Sequence, residues 1–166
     1  MDRKKLASNL IWLAALVFLA WYFLWPVSLA DRLPADEGIL ISVLATDEAG
    51  ISTQTELQLP AGSAAHAQLR DLLDRYPCYR TIINSTKNTT QGLAWNEKYL
   101  IQDDSAAAAI YLYGSSKVAV NDSILRMGWF GNSQPLAFVE ALHSLLQQTD
   151  TGITVTGTQV ITPAGS

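Results

Sequence analysis

Residues 107–129, AAAIYLYGSSKVAVNDSILRMGW, contain three short apolar runs separated by two turn signals. Each run is too short for a stable helix, and Gly114-Ser115-Ser116 and Asn121-Asp122 have the composition of tight reversals. The spacing predicts a β-meander over 107–113, 117–120 and 123–129. Consecutive strands joined by turns of this length are antiparallel, and this sets the expected sheet type.

Upstream, Ile39, Ile41 and Val43 alternate with Leu40, Ser42 and Leu44, which predicts a strand covered on both faces. Asp47-Glu48-Ala49-Gly50 reads as a turn. After it, Ile51, Thr53, Thr55, Leu57 and Leu59 share one face of a second strand, with Ser52, Gln54, Glu56 and Gln58 on the other. Pro60 and Gly62 end that strand and Ser63 is a good N-cap. Leu69, Leu72, Leu73 and Tyr76 then recur at helical spacing until Pro77, leaving Arg70, Asp71, Asp74 and Arg75 as the solvated side. A third strand is expected over 78–83, with Cys78 as a small buried residue at its start. The polar stretch 84–92, NSTKNTTQG, reads as a loop. Asn84, Asn88 and Asn121 each head an Asn-x-Ser/Thr acceptor sequence. A strand is assigned at 99–102 only.

Downstream of the meander, Ser133 is expected to cap a helix with Pro135 in its first turn. Leu136, Val139, Leu142, Leu145 and Leu146 line its inner side, with Phe138 beside them, and Gly152 is placed to end it. The Thr-rich tail, 151–166, reads either as a strand or as a disordered end. The expected fold is therefore α+β: one domain over 38–150 with a mainly antiparallel sheet and two helices on one face.

The N-terminus follows a different pattern. Residues 6–25, LASNLIWLAALVFLAWYFLW, carry no charge and match the roughly 20 residues that a bilayer-spanning helix needs. Arg3, Lys4 and Lys5 precede them in the basic segment 1–5, and Asp31, Asp36 and Glu37 follow in the linker 26–37, whose polar part 31–37 is expected to be exposed. That asymmetry predicts a single-pass signal anchor in the cytoplasmic membrane, N-terminus inside and domain outside, with Trp21, Tyr22 and Trp25 at the outer interface. The alternative is secretion after cleavage before Asp31. Either way the domain is extracytoplasmic.

Of 11 Lys and Arg, three lie in 1–5; of 15 Asp and Glu, only Asp2 does, so the exported part has eight positive against 14 negative charges. This balance argues against nucleic acid as a partner, and against an electrostatic contact with anionic lipid beyond the helix itself. The bilayer, through residues 6–25, is the expected partner, together with a protein or cell-wall ligand.

No catalytic, cofactor or metal residue is assigned. A hydrolase built on Cys78 or a serine needs a base, and His66 and His143 both fall in predicted helices with no spacing that brings them to a nucleophile. Glu140-x-x-His143 is half of a di-iron pattern without its second copy. Asp103-Asp104 lacks the ligand spacing of a calcium loop, and no phosphate-cradling glycine motif occurs. Trp95, Tyr99, Trp129 and Phe130 remain as a candidate ligand or partner face, since exposed rings stack on sugars or anchor proteins.

The anchor, the strand pair, the Leu-lined helix, the stretch AIYLYGSSKVAVNDSIL and the closing LAFVEALHSLL helix together resemble small membrane-anchored extracytoplasmic domains of unknown function from Gram-positive bacteria. The resemblance covers roughly residues 39–146. It implies the same α+β architecture and brings no active site. The expected function is a membrane-tethered, non-enzymatic binding or interaction domain. A small cell-envelope hydrolase or metal-dependent enzyme assembled only in the fold is one alternative, and an anchored inhibitor or immunity-type protein is another.

Overall fold

A computed structural model describes residues 3–47, 49–81, 97–112, 116–121, 123–128, 133–148 and 152–161. The architecture is α+β, as the run order predicts. It comprises helix α1 (Arg3–Leu24), strands β1 (Ile39–Thr46) and β2 (Ser52–Leu59), helix α2 (Ala64–Arg75), strands β3 (Cys78–Arg80), β4 (Glu97–Asp103), β5 (Ala109–Leu112), β6 (Lys117–Val120) and β7 (Ser123–Met127), helix α3 (Ser133–Leu146) and strand β8 (Thr154–Ile161). The strands form one sheet in the order β3-β7-β6-β5-β4-β1-β2-β8. Every pairing in it is antiparallel.

The meander accounts for this order. β4 to β7 step across the sheet by consecutive pairing; the chain also crosses from the edge strand β3 to β4, and through a helix twice more, between β2 and β3 and between β7 and β8. α2 and α3 make the two helical crossings, and α2 packs against α3. Directly opposed residues in an antiparallel sheet share a face. One row can therefore be followed from Thr55 through Val43, Tyr99, Leu112, Val118 and Leu125 to Arg80. Ile39, Ile41, Leu59, Ile101, Ile110 and Met127 lie on the same face. They are buried in one core with Leu69, Leu73, Phe138 and Leu142 from the helices.

The opposite face carries Leu40, Ser42, Leu44, Leu100, Ile124 and Arg126, all half-buried. The expectation that β1 is covered on both sides is thus corrected: its second apolar face is shielded by neighbouring side chains on the sheet surface. β4 is longer than the expected 99–102. Tyr99, Ile101 and Asp103 alternate inward with Lys98, Leu100 and Gln102 outward, a period of two that the buried acid at 103 conceals in the sequence. β3 is shorter than expected. The tail resolves to β8, paired with β2, and α3 ends at Leu146, well before Gly152, whose φ of 84° belongs to the entry into β8.

The linker 26–37 is exposed at Asp31, Arg32, Ala35 and Asp36, but Val27, Leu29, Ala30 and Leu33 are built into the domain. Val27 pairs with Cys78 in an isolated antiparallel bridge, Leu29 is 0 % exposed, and Ala30 and Leu33 are buried around a short 3-10 turn, Ala30–Arg32. Arg70, expected on the wet side of α2, fastens this turn by donating to the carbonyl oxygens of Leu33 (2.9 Å), Pro34 (3.2 Å) and Ala30 (3.2 Å). Pro34 and the acidic residues made the stretch look like a spacer. Val27, Leu29 and Leu33 are the apolar positions that decide its burial. Arg70→Ala is expected to lower stability by about 2 kcal/mol in urea titration, the order of a charged hydrogen-bond group lost at a partly buried site. Arg70→Lys should recover only part of this, because one ammonium cannot span three carbonyls as the guanidinium does.

α1 extends from this turn as a helix of 22 residues whose first three are Arg3, Lys4 and Lys5. Among the described residues no helix is long and apolar enough to cross a membrane, so the fold does not support the transmembrane span expected over 6–25. Charged residues occupy the first turn of the observed helix, and it stops at Leu24. Its C-terminal end meets β3, where Arg80 donates to the Tyr22 carbonyl oxygen at 3.1 Å and lies 4.6 Å from the centre of the Tyr22 ring.

Candidate functional site

Of the four rings expected to form an aromatic face, Tyr99 is the one among the described residues, and it is buried. That side chain is 2 % exposed, turned toward the helices, and its hydroxyl donates to the Glu97 carboxylate. Burial, followed by the hydrogen bond to Glu97 and its charge, pushes the phenol well above its ordinary range. Trp95, Trp129 and Phe130 lie outside the described residues, as do Asn84 and Asn88. Asn121 occupies an exposed turn with φ 49° and accepts the Ala109 N–H on its side-chain oxygen.

Cys78 is fully buried at the start of β3, and desolvation pushes its thiol up to about 12. A thiolate nucleophile needs the opposite shift. Because the fold holds the proton that the unfolded chain releases near pH 9, stability is complete below that pH and falls as pH rises toward about 12. Melting curves between pH 8 and 11 should show this decline, and Cys78→Ala should make it shallower, with Tyr99 supplying the remainder.

His66 is buried in the first turn of α2, and its Nε2 has no hydrogen-bond partner among the described residues. His143 is on the exposed side of α3. Its Nδ1 is 3.7 Å from Glu97 and its Nε2 is 2.5 Å from Gln147 Nε2, so its carboxylate partner is on β4 and not at Glu140. Asp103 accepts the Ala108 N–H and the Ser105 hydroxyl, both at 3.0 Å, and Asp104 accepts Gln58. Asp103 thus organises the β4–β5 turn, and Asp104 ties it to β2. Among the described residues no group of three or more His, Cys, Asp or Glu side chains is placed to hold a metal ion.

Two concave features stand out. A shallow groove of about 410 Å³ runs between α2 and α3, floored by Leu72, Ala141 and Leu145 and edged by Asp71 and Arg75. These last two pair with each other along α2. The second is a cleft of about 450 Å³ where α1 joins the domain, bounded by Tyr22, Phe23, Arg32, Arg80, Asn121 and Ser123, with Val120 and Leu125 at its apolar side. Arg80 reaches it from the end of the inward-facing row of the sheet, on an edge strand, and Arg32 from the 3-10 turn. Among the described residues lining this cleft none is acidic, and neither arginine pairs with a carboxylate among the described residues.

Sequence reasoning missed this site because its parts are far apart in the chain. Arg32 and Arg80 are unremarkable singly, and the only available signal was that both are cations in an otherwise acidic domain. The fold and site together define a two-layer α+β domain with a protruding N-terminal helix and a cationic cleft at its foot. No family model, curated protein or solved structure matches the chain.

Proposed function

We propose that this chain is a membrane-tethered extracytoplasmic binding domain without enzymatic activity, held at the outer face of the cytoplasmic membrane by α1. One observation carries the reading: α1 projects from the domain with its apolar side chains facing outward on every side. Leu10, Ile11, Trp12 and Leu13 point in successive directions around the helix axis, yet all are between 58 % and 69 % exposed. A helix apolar all round needs an apolar surrounding. Its uncharged part, 6–24, is about 28 Å long at 1.5 Å per residue, close to a hydrocarbon core of about 30 Å. Local thinning of the bilayer and upward reach of Lys5 accommodate a shortfall of this size. Trp21, Tyr22 and Trp25 cluster at the domain end, where the headgroups would lie. The likeness to small anchored extracytoplasmic domains belongs to the same proposal. A ligand of the cell envelope fits the placement, and the burial of Cys78 argues against thiol chemistry at that residue.

A C-terminal phosphatase fusion, active only after export, tests the placement. The expected result is phosphatase activity that remains in the membrane pellet after alkaline washing. An inactive fusion, or release of the chain by the wash, would overturn it.

A further inference from the structure

From the cleft at the foot of α1 we infer a second contact with the membrane, a binding site for the phosphate of an anionic phospholipid headgroup. The inference rests on α1 being the anchor, because that reading sets the depth of the cleft. Tyr22 and Phe23 belong to both α1 and the cleft wall, one turn from Trp25, so the opening lies at the level where lipid phosphates are found.

The chemistry of the walls selects the ligand. The exported part of the chain is acidic overall, eight positive charges against 14 negative, yet the described lining of this cleft has two guanidinium groups and no carboxylate. Whole-domain charge describes the far field and does not locate the cations.

Arg80 is held in place from one side. One nitrogen donates to the Tyr22 carbonyl oxygen at 3.1 Å, and the Tyr22 ring lies 4.6 Å from the guanidinium carbon. Both contacts come from uncharged groups, so the positive charge is oriented without being neutralised. Arg32 has no ion pair among the described residues, and its place on the 3-10 turn is fixed by Arg70. Two guanidinium groups on rigid supports suit a phosphate, which takes paired N–H donors. The Ser123 hydroxyl and the Asn121 amide nitrogen add neutral donors, the Asn121 oxygen being engaged by Ala109. Phe23, Val120 and Leu125 offer an apolar side suited to the glycerol end of a lipid. Free phosphate makes no use of these surfaces.

The test uses the full chain with vesicles of phosphatidylcholine alone or with one-fifth phosphatidylglycerol, followed by native mass spectrometry of the detergent-extracted protein. Wild type should float with both vesicles and retain one phosphatidylglycerol. Arg32→Glu should float equally well and lose that retention by about tenfold, in line with removal of a juxtamembrane cation. Because Arg80 also fastens α1, Arg80→Lys serves as the second variant: it keeps the charge, loses the paired geometry, and should retain lipid at an intermediate level. Equal retention by wild type and Arg32→Glu, or displacement of the lipid by millimolar inorganic phosphate, would overturn the headgroup site while leaving the anchor intact. Failure to float with either vesicle would overturn the anchor, and the headgroup site with it.

Discussion

A chain that begins at Asp31 is expected to be less stable than one that begins at Trp25 by about 3–6 kcal/mol, although both lack the apolar helix. The difference is the loss of Val27 and Leu29, which are 8 % and 0 % exposed, at about 1.5–3 kcal/mol for each fully buried aliphatic side chain. The Val27–Cys78 bridge is lost with them, two backbone hydrogen bonds of 2.8 and 3.0 Å that cover the outer edge of β3. Arg70 also loses the Ala30 carbonyl among its acceptors. Since a domain of this size has a net stability of about 5–15 kcal/mol, the shorter chain should be partly unfolded at ambient temperature. Urea titration of the two truncated chains followed by tryptophan fluorescence measures the difference. Equal midpoints would mean that 26–30 is the spacer it resembles in sequence. The outcome also bears on processing, because cleavage before Asp31 would remove part of the core from the mature protein.

Phe138→Ala is the other change expected to have a large effect, about 3–5 kcal/mol. Phe138 is 0 % exposed on α3, meets the Tyr76 ring edge-on at a centroid distance of 5.5 Å, and joins the helix layer to the sheet. Few neighbours can move into the space a lost ring leaves, because α3 is held at its other buried positions by Val139, Leu142 and Leu145. Phe138→Leu should cost less than half as much. If Phe138→Ala unfolds with the wild-type midpoint, the description of the core around α3 is wrong.

Much of the fold was legible because it depends on local pattern. The meander, the two amphipathic helices and the antiparallel sheet follow from apolar periodicity and turn composition in 39–146. Cys78 was also readable as a buried strand residue, since its flanking Tyr-Pro and Tyr leave a small apolar side chain few other uses. Long-range effects were hidden. Asp103 reads as surface until the Ala108 N–H and Ser105 hydroxyl satisfy it. The linker reads as exposed until Arg70, about 40 positions later, gathers its carbonyl groups. β8 was undecidable from its Thr-rich sequence because its order comes from pairing with β2. For the candidate site the same distinction was decisive. Aromatic content suggested a face, but Tyr99 is turned inward, while the cleft draws on α1, the 3-10 turn, β3 and the β6–β7 turn, which no local window contains.

The central claim is that α1 holds an uncut chain in the membrane with its first core residues attached. Intact-mass measurement of the protein after cell fractionation tests it most directly. The account predicts a full-length chain in the membrane fraction, its N-terminal basic segment still present. A soluble product beginning at Asp31 would contradict it.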